Sequence, residues 1–346
     1  NISAYTVDAA TGSLTTVAGS PFLSGTLTES VAVEPSGRFA YATNIVSGPV
    51  GGEVGIFGID AATGALTPQG MSASVGPADP QSLAIEPSGR FLYVARDSGS
   101  VSGHRIRTDG SLESSFRASA GRFPRSIAVD PSGKFAYVAN LNGGELGVGN
   151  VSAYTINTFT GALSAVPGSP FSTCPGCSFI SVDPSGRFAY VVGAASVHAY
   201  RINSTTGALT AVPGSPFAAG RDASHSVAVD PTGRFVYVAT SIPAPAPPFS
   251  GGSVFAYTLD PASGALTPIA GSPLPAGLQA WFVMVDPSGR FVYVTNRGGS
   301  GISAHRINDV SAYSINSATG ALTPIAGAPF LTSREPVSGF ITPMIQ

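Results

Sequence analysis

The sequence predicts an all-β protein, and three observations support that prediction. Glycine (43 residues) and proline (29) are abundant, whereas charged residues make up only 10% of the 346 residues, which is typical of short strands joined by tight turns. One unit of sequence recurs along the chain and is clearest as SVAVDPTGRFVYVAT from Ser226 to Thr240. Equivalent glycines from Gly12 to Gly320 are spaced by about 51 residues on average, the length of a four-stranded propeller blade. We therefore predict a β-propeller.

Strands A and B of each repeat are predicted to form a hairpin. They flank an Asp/Glu-Pro-Ser/Thr-Gly turn, in which Asp favours the first position, Pro fixes φ at the second and Gly fits the last. Strand B then opens with a Phe-x-Tyr pattern. The recurring acid and base of this turn are expected to serve the fold, because a catalytic group is not needed six times. The six copies of strand A and its turn are Val31–Arg38, Leu83–Arg90, Ile127–Lys134, Ile180–Arg187, Val227–Arg234 and Val283–Arg290.

Strands C and D follow in each repeat. Strand C is the run Val151–Ile156 and its copies, and a Thr-Gly-Ala-Leu type of turn precedes strand D. Two such strands in succession complete a four-stranded antiparallel sheet, so each repeat accounts for one blade. The turn glycines are Gly12, Gly64, Gly110, Gly161, Gly207, Gly264 and Gly320.

The two ends of the chain predict a closed ring. The chain opens on strands C and D (Ile2–Phe22) and ends on Val337–Pro343, which looks like a degenerate strand A. A ring would pair these ends and so avoid exposed sheet edges. We expect one domain, a seven-bladed β-propeller spanning residues 1–346, whose closing blade combines N-terminal strands C and D with C-terminal strand A. Its strand B is missing and would lie before Asn1 or after Gln346.

The residue just before each strand A is predicted to surround the mouth of the central channel. That mouth lies on the face that carries the long B-to-C loops, where binding sites are usually placed. A regular repeat could use one small polar residue throughout, yet these positions, here called the crown, are chemically mixed. A water-filled channel that tolerates any polar group is the alternative explanation. The crown consists of Glu29, Gln81, Arg125, Ser178, His225, Trp281 and Val337.

The side chains of the crown suggest catalytic and binding roles. His225 would transfer protons, Arg125 would stabilise an oxyanion or bind a carboxylate, and Glu29 would orient water or His225. Gln81 and Trp281 would bind the ligand, with the indole stacked on a flat or sugar-like face. Further binding candidates, otherwise simple surface charges, are Arg96 and Arg297 at the ends of strands B.

Charge and motifs exclude several classes of function. The net charge of −2 and the lack of a basic run argue against nucleic-acid binding. No apolar stretch is long enough to span a membrane, and no cofactor or metal motif is present. Cys174 and Cys177 form a C-x-x-C, which leaves a local disulfide, free thiols or a metal site open. The single lysine and the Ser/Thr/Gly-rich composition favour a secreted, periplasmic or cell-surface protein.

The repeat resembles that of a known family. Tyr293-Val294-Thr295-Asn296 is the YVTN signature of bacterial surface propellers, and the whole unit resembles the lactonase-type seven-bladed propellers, which include 6-phosphogluconolactonase and carboxymuconate-cyclising relatives. In those enzymes an active-site His lies in Pro-His-Ser, which Ser224-His225-Ser226 resembles, and an Arg lies in Pro-Arg-His. Pro124-Arg125-Ser126 lacks that second His and lies two repeats earlier, and the family's Asn-Glu after a strand B is absent.

Two functions follow as expectations. The resemblance implies hydrolysis or isomerisation of a small sugar-derived or carboxylated lactone at the channel mouth, without a cofactor. The departures from the family's motifs favour instead a non-enzymatic extracellular propeller that binds a glycan, a peptide or a protein. The proline-rich loop Pro243–Phe249 would then contact a protein partner.

Overall fold

The computed structural model of the chain describes residues 1–25, 27–45, 52–71, 79–141, 148–220, 224–241, 251–298, 308–332 and 338–339. Across these ranges the chain forms strands and turns without helices. Six sheets contain at least four antiparallel strands each, in the order A-B-C-D of the repeat. The strands A of successive sheets contact one another, which makes the molecule a β-propeller with strand A innermost. No described segment is a helix long and apolar enough to cross a membrane.

The strands of the six blades, numbered from blade 1 to blade 6, are as follows. Strands A are β3 (Leu27–Val33), β7 (Pro80–Ile85), β11 (Pro124–Val129), β16 (Phe179–Val182), β21 (Ser224–Val229) and β26 (Ala280–Val285). Strands B are β4 (Phe39–Ile45), β8 (Phe91–Arg96), β12 (Phe135–Asn140), β17 (Phe188–Gly193), β22 (Phe235–Ser241) and β27 (Phe291–Asn296).

The outer strands complete each blade. Strands C are β5 (Glu53–Ile59), β9 (Ser100–Ile106), β13 (Val148–Ile156), β18 (Ser196–Ile202), β23 (Gly251–Leu259) and β28 (Asp309–Ile315). Strands D are β6 (Leu66–Met71), β10 (Leu112–Ser119), β14 (Leu163–Ala165), β19 (Leu209–Ala211), β24 (Leu266–Pro268) and β29 (Leu322–Pro324). In blades 3 to 6 strand C also pairs with a second short strand after D, namely β15 (Phe171–Pro175), β20 (Phe217–Ala218), β25 (Leu274–Leu278) and β30 (Phe330–Leu331).

The recurring acid of the A-to-B turn stabilises its own turn. The Asp130 carboxylate accepts backbone N–H groups of Ser132 (3.0 Å), Lys134 (2.9 Å) and Phe135 (2.7 Å). The base that follows the acid has another partner: Nη2 of Arg90 donates to the Thr158 carbonyl of the next blade at 2.7 Å. Both residues therefore serve the fold, as their recurrence predicts, but they do so without pairing with each other.

The Phe-x-Tyr pattern of strand B joins each blade to the next. In blade 4 the hydroxyl of Tyr190 donates to the Gly264 carbonyl at 3.0 Å, and the ring of Phe188 packs directly against Gly264. The same tyrosine contact is made in all six blades, ending with Tyr293, whose hydroxyl donates to the Gly12 carbonyl at 2.7 Å. The pattern thus specifies the contact between neighbouring sheets.

The described residues form six complete blades, where the sequence predicts seven. Among the described residues, the remaining sheet consists of β1 (Tyr5–Val7) and β2 (Leu14–Thr16), which correspond to strands C and D of the repeat. This hairpin lies between blades 6 and 1: Val7 packs against the cluster that contains Phe291, and Ile2 packs against the cluster that contains Phe57.

Only two residues of the predicted C-terminal strand A, Val337–Pro343, are described. Oγ of Ser338 accepts the backbone N–H of Val31 at 3.2 Å, and Gly339 lies against the side chain of Met284. The contacted residues belong to the inner strands of blades 1 and 6. The rest of that segment, the crown position Val337 and the proline-rich loop Pro243–Phe249 lie outside the described residues.

Candidate functional site

The crown residues occupy β-bulges at the mouth end of the inner strands. In blade 5, Ser224 pairs with Thr240 and Ser226 pairs with Ala239, which leaves His225 between them as the extra residue. A bulge redirects the side chain of its extra residue and is common next to functional sites. Ser178 lies just before β16. The bulge residues of the other five inner strands are Glu29, Gln81, Arg125, His225 and Trp281.

The backbone leading into two of these bulges is strained. Phe123 (φ 50°) and Gln279 (φ 53°) adopt left-handed conformations that bulky residues rarely populate. They lie two residues before Arg125 and Trp281, respectively. Strain of this kind costs roughly 1–3 kcal/mol and persists where the surrounding structure enforces it. The structure therefore constrains the approach to the mouth at these two positions.

His225 contacts two side chains at the mouth, Ser241 and Trp281, and Trp281 in turn contacts Arg297. Its Nε2 shares a hydrogen bond of 2.7 Å with Oγ of Ser241, and its ring stacks on Trp281 at a centroid distance of 3.9 Å. The Arg297 guanidinium lies 3.7 Å from the centroid of the same indole. Trp281 thus packs against His225 and Arg297, where the sequence suggested stacking on a ligand. The hydrogen-bond partner of His225 is Ser241, and not Glu29 as one predicted role required.

Ser241 is the functional candidate that sequence reasoning missed. It follows Thr240 at the end of strand B, which is the repeat position that Arg297 occupies in blade 6. Both residues contact the crown residue of their own blade. The repeat therefore carries a signal for Ser241: in blades 5 and 6 the residue at this position lies beside the bulge and contacts the crown residue.

Burial and the two arginines determine the charge state of the site. Burial, aided by the positive charge of Arg297, lowers the pKa of His225 to about 4, so its imidazole is neutral at pH 7. Burial also raises the pKa of Glu29, a shift that Arg297 and Arg125 oppose and Asp79 reinforces. The charges that shift these two pKa values thus involve residues of blades 1, 2, 3, 5 and 6 around one mouth.

Arg125 is the crown residue with a permanent positive charge, and its side chain is exposed. Its Nη1 donates to Oε1 of Gln81 at 2.6 Å, which links blades 3 and 2. A guanidinium has five N–H donors in a planar fork and suits carboxylate or phosphate groups. Gln81 thus orients Arg125 and leaves donors for an anionic ligand.

An aromatic pair forms the floor of the mouth. Phe179 and Phe282 meet edge to face at 5.4 Å, with an angle of 82° between their rings. Each lies one residue after a crown residue, where other inner strands carry serine, and the hydroxyl of Ser226 accepts the Val283 N–H of the next blade at 2.7 Å. A cavity of about 810 Å³, lined mainly by β3, β7, β11 and β16, extends below these rings along the channel.

The side chain of Arg96, which the sequence predicts as a ligand-binding candidate, does not face the mouth. Its side chain is fully buried and lies on the face of the blade 2 sheet that packs against blade 1. Within the described part of the chain, no cluster of His, Cys, Asp or Glu could hold a metal ion. Cys177 is buried and disulfide-bonded, and the only other cysteine of the chain is Cys174.

Comparison with known proteins identifies the fold. The chain matches no family model and no curated protein sequence. Among solved structures, a candidate 6-phosphogluconolactonase from Bacteroides fragilis superposes with a TM-score of 0.79 at 21% identity, covering 97% of this chain and 92% of that one. A second, from Bacteroides uniformis, gives 0.78 at 17% identity over 97% and 93%. A periplasmic gluconolactonase from Pseudomonas aeruginosa gives 0.72 at 21% identity over 96% and 93%. At these identities the likeness extends to the propeller fold.

Proposed function

We propose that the protein hydrolyses a small lactone at the channel mouth. The observation that supports this most directly is a neutral imidazole, His225, hydrogen-bonded to Ser241 at 2.7 Å in a mouth that also contains Arg125, Arg297 and Glu29. The structural neighbours named as lactonases share the fold, which is consistent with this chemistry. The proposal that this chain is a lactonase depends on the residues of the site.

The geometry suggests a division of roles in hydrolysis. In this scheme the imidazole of His225 carries its proton on Nε2 and donates it to Oγ of Ser241, and the lone pair of Nδ1 accepts a proton from the attacking water. The water oxygen bonds to the lactone carbonyl carbon, and Arg125 stabilises the resulting oxyanion. The ring C–O bond then breaks, and the departing alkoxide takes the proton from the His225 imidazolium, which restores the neutral imidazole. Ser241 is a positioning residue in this scheme.

The charge of the mouth favours an anionic substrate. Arg125 is exposed and donates to the neutral amide of Gln81, so its charge is available to a carboxylate or a phosphate of the ligand. We propose that carboxylated or phosphorylated lactones are preferred over neutral ones. Arg125→Ala should then raise KM for anionic lactones more than for neutral ones.

The decisive experiment is a hydrolysis screen over sugar-derived and carboxylated lactones with matched variants. We expect His225→Ala and Arg125→Ala to lower kcat/KM on the best substrate by about 100-fold or more, since proton transfer and oxyanion stabilisation each contribute on that scale. His198→Ala is the control, because His198 shares a similar bond with Ser196 (3.0 Å) but is buried in strand C. Equal rates of hydrolysis for the wild type and all variants would exclude a lactonase that uses His225 and Arg125.

A binding function is the second candidate, favoured by the exposed apolar side chains. The described residues include six large exposed apolar side chains, and five of them lie in loops or strand ends on the face of the mouth: Leu23, Leu27, Phe123, Val148 and Leu331. Apolar side chains exposed on the face of the candidate site are available to contact a partner. Lack of hydrolysis over the whole panel, together with glycan or peptide binding that Phe123→Ser weakens, would favour this function.

We further propose that the β1–β2 hairpin belongs to a seventh blade whose inner strand comes from residues 337–343. The Ser338 contact with Val31 supports this, because Ser30, Ser82 and Ser126 make the same contact with the next blade in the ring.

A secreted or periplasmic location is proposed as well. A disulfide-bonded Cys177 suits an oxidising compartment, and one structural neighbour is a periplasmic gluconolactonase. Mass spectrometry of the native protein after alkylation without a reductant should find both cysteines unmodified. Alkylation of both would contradict the disulfide and weaken the case for this location.

A further inference from the structure

Blade 2 departs from the repeat at the surface that packs against blade 1. In blade 3 the end of strand B is Asn140, whose Nδ2 donates to Oγ of Ser152 at 3.0 Å. Strand C of blade 3 contributes Tyr154, whose hydroxyl donates to the Ser119 carbonyl of the preceding blade at 2.5 Å. The end of strand B is also asparagine in blades 1 and 6, and strand C carries tyrosine in blades 4, 5 and 6.

In blade 2 the two equivalent positions are Arg96 and His104. A neutral amide is thus replaced by a guanidinium, and a hydroxyl that reaches the preceding blade is replaced by a shorter imidazole. The first exchange brings a positive charge into the interface between blades 1 and 2, and the second removes the hydroxyl contact with the preceding blade. Blades 3 and 6 fold with Asn and Tyr at these two positions, and no other described blade has a charged residue at either of them, so the propeller itself does not require these exchanges.

The strand register places four polar side chains on one face of the blade 2 sheet. Ser102 pairs with Val94 on one side and with Arg117 on the other, and directly paired residues share a face. Arg96 and His104 lie two residues from members of this row, on β8 and β9, and so share that face. Val94 packs with Val54 of blade 1, so the polar cluster lies between the two blades.

The cluster is positively charged, and three of its members, Arg96, Ser102 and His104, are buried whereas Arg117 is exposed. Arg96 is 0% and His104 is 2% exposed. Burial and Arg117 lower the pKa of Arg96, with Asp97 acting in the opposite direction. Burial, Arg96 and Arg117 lower the pKa of His104 to about 4. The charged groups that influence Arg96 are therefore one further cation, Arg117, and one carboxylate, Asp97, while His104 is neutral at pH 7.

The hydrogen bonding of Arg96 is incomplete. Its Nε and Nη1 groups are buried and have no hydrogen-bond partner among the described residues. Arginine cannot escape this cost by losing its proton, since its intrinsic pKa is too high. Burying N–H groups of a guanidinium without acceptors is unfavourable. A bound anion would supply both the missing acceptor and the compensating charge.

We propose that this cluster is a binding site for a small inorganic anion, held by the N–H groups of Arg96 beside Arg117 at the interface of blades 1 and 2. The enclosure of Arg96 favours a halide-sized ion, and chloride is the anion we commit to. The site is separate from the crown, because it lies between two blades and the crown faces the central channel. Its role would be to stabilise the packing of blade 2 on blade 1.

Thermal unfolding at constant ionic strength tests this proposal. Chloride replaces methanesulfonate, a bulkier anion, in steps, and the Tm of the wild type should rise by a few degrees with the logarithm of chloride concentration, because a ligand of the folded state stabilises it by mass action. Arg96→Asn should abolish the rise. This variant introduces the residue that blades 1, 3 and 6 use, with Ser102 available where Asn140 uses Ser152, so we expect it to fold.

Two further measurements keep the outcome unambiguous. Arg105→Asn is the matched control, since Arg105 is exposed on the same strand, and it should retain the chloride dependence. Crystals of the wild type soaked in bromide should show an anomalous peak next to Arg96. A chloride dependence equal in all three proteins would indicate a general salt effect and overturn the proposal, as would no dependence in the wild type or no bromide at Arg96.

Discussion

At the scale of single residues, His225 shows how position and environment together produce a candidate catalytic group. Its backbone is a bulge residue, its ring nitrogen bonds to Ser241, and burial and Arg297 lower its pKa to about 4. A base of this kind is weak but stays unprotonated down to acidic pH. Lactone carbonyls suit such a base because ring opening needs less activation than peptide cleavage.

The influence of Arg297 on His225 gives a measurable prediction. Arg297→Gln removes a positive charge that disfavours the imidazolium, so the pKa of His225 should rise from about 4 towards its ordinary value. NMR titration of the imidazole C–H signals measures this directly. The pKa of His198, which burial alone lowers, should not change. If the two histidines shifted equally, or if His225 did not shift, Arg297 would not control the charge of the site.

The sequence could predict the crown but not the contacts across it. Alignment of the repeats identifies the variable residue before each strand A, because equivalent positions of the repeat occupy equivalent places in each blade. Whether His225 meets Ser241 or Glu29 depends on side-chain directions at a bulge, and no periodicity encodes those. Arg96 was misplaced for the same reason. Arg96 is the last residue of strand B, close to the crown residue of its blade, but its side chain lies on the sheet face that packs against blade 1.

At the scale of the blade, the Phe-x-Tyr pattern and the turn glycine form one inter-blade contact. The sequence predicts both patterns as strand and turn signals, whereas their mutual contact appears only when two blades are packed. Gly264 has φ +82°, and a methyl group there would lie 2.3 Å from Cδ1 of Phe188. Glycine is therefore needed at this turn both for its conformation and for the space it leaves.

Comparing two glycines of blade 5 separates these two requirements. Gly271 has a similar φ of +84°, but a methyl group there would meet nothing within 4 Å. Gly264→Ala should lower the free energy of unfolding by about 1–3 kcal/mol more than Gly271→Ala does, because it adds overpacking to the shared backbone strain. Urea unfolding of both variants measures the difference. Equal losses would mean that Phe188 yields without cost and that the contact does not hold the blades together.

At the scale of the whole molecule, the number of blades is the point on which sequence and structure differ. The repeat count predicts seven, and the described residues form six complete sheets and the β1–β2 hairpin. The Gly12 carbonyl of the hairpin accepts a hydrogen bond from the hydroxyl of Tyr293. Blades 2 to 6 accept the same hydrogen bond from the tyrosine of the preceding blade. Residues 337–343, which we propose as the inner strand of the seventh blade, have a weak strand pattern in the sequence, with Gly339 at the repeat position that holds a branched apolar residue in blade 1.

Closure of the ring by that segment can be tested with two equivalent serines. Ser338 accepts the Val31 N–H at 3.2 Å and Ser126 accepts the Ile180 N–H at 3.3 Å. If residues 337–343 form an inner strand, Ser338→Ala and Ser126→Ala should each lower the free energy of unfolding by about 1 kcal/mol, since each loses one cross-blade hydrogen bond. Removal of residues 333–346 should cost more, because it exposes Met284 and Val31 together. A truncated protein as stable as the wild type, with only Ser126→Ala destabilised, would mean that the hairpin alone closes the ring.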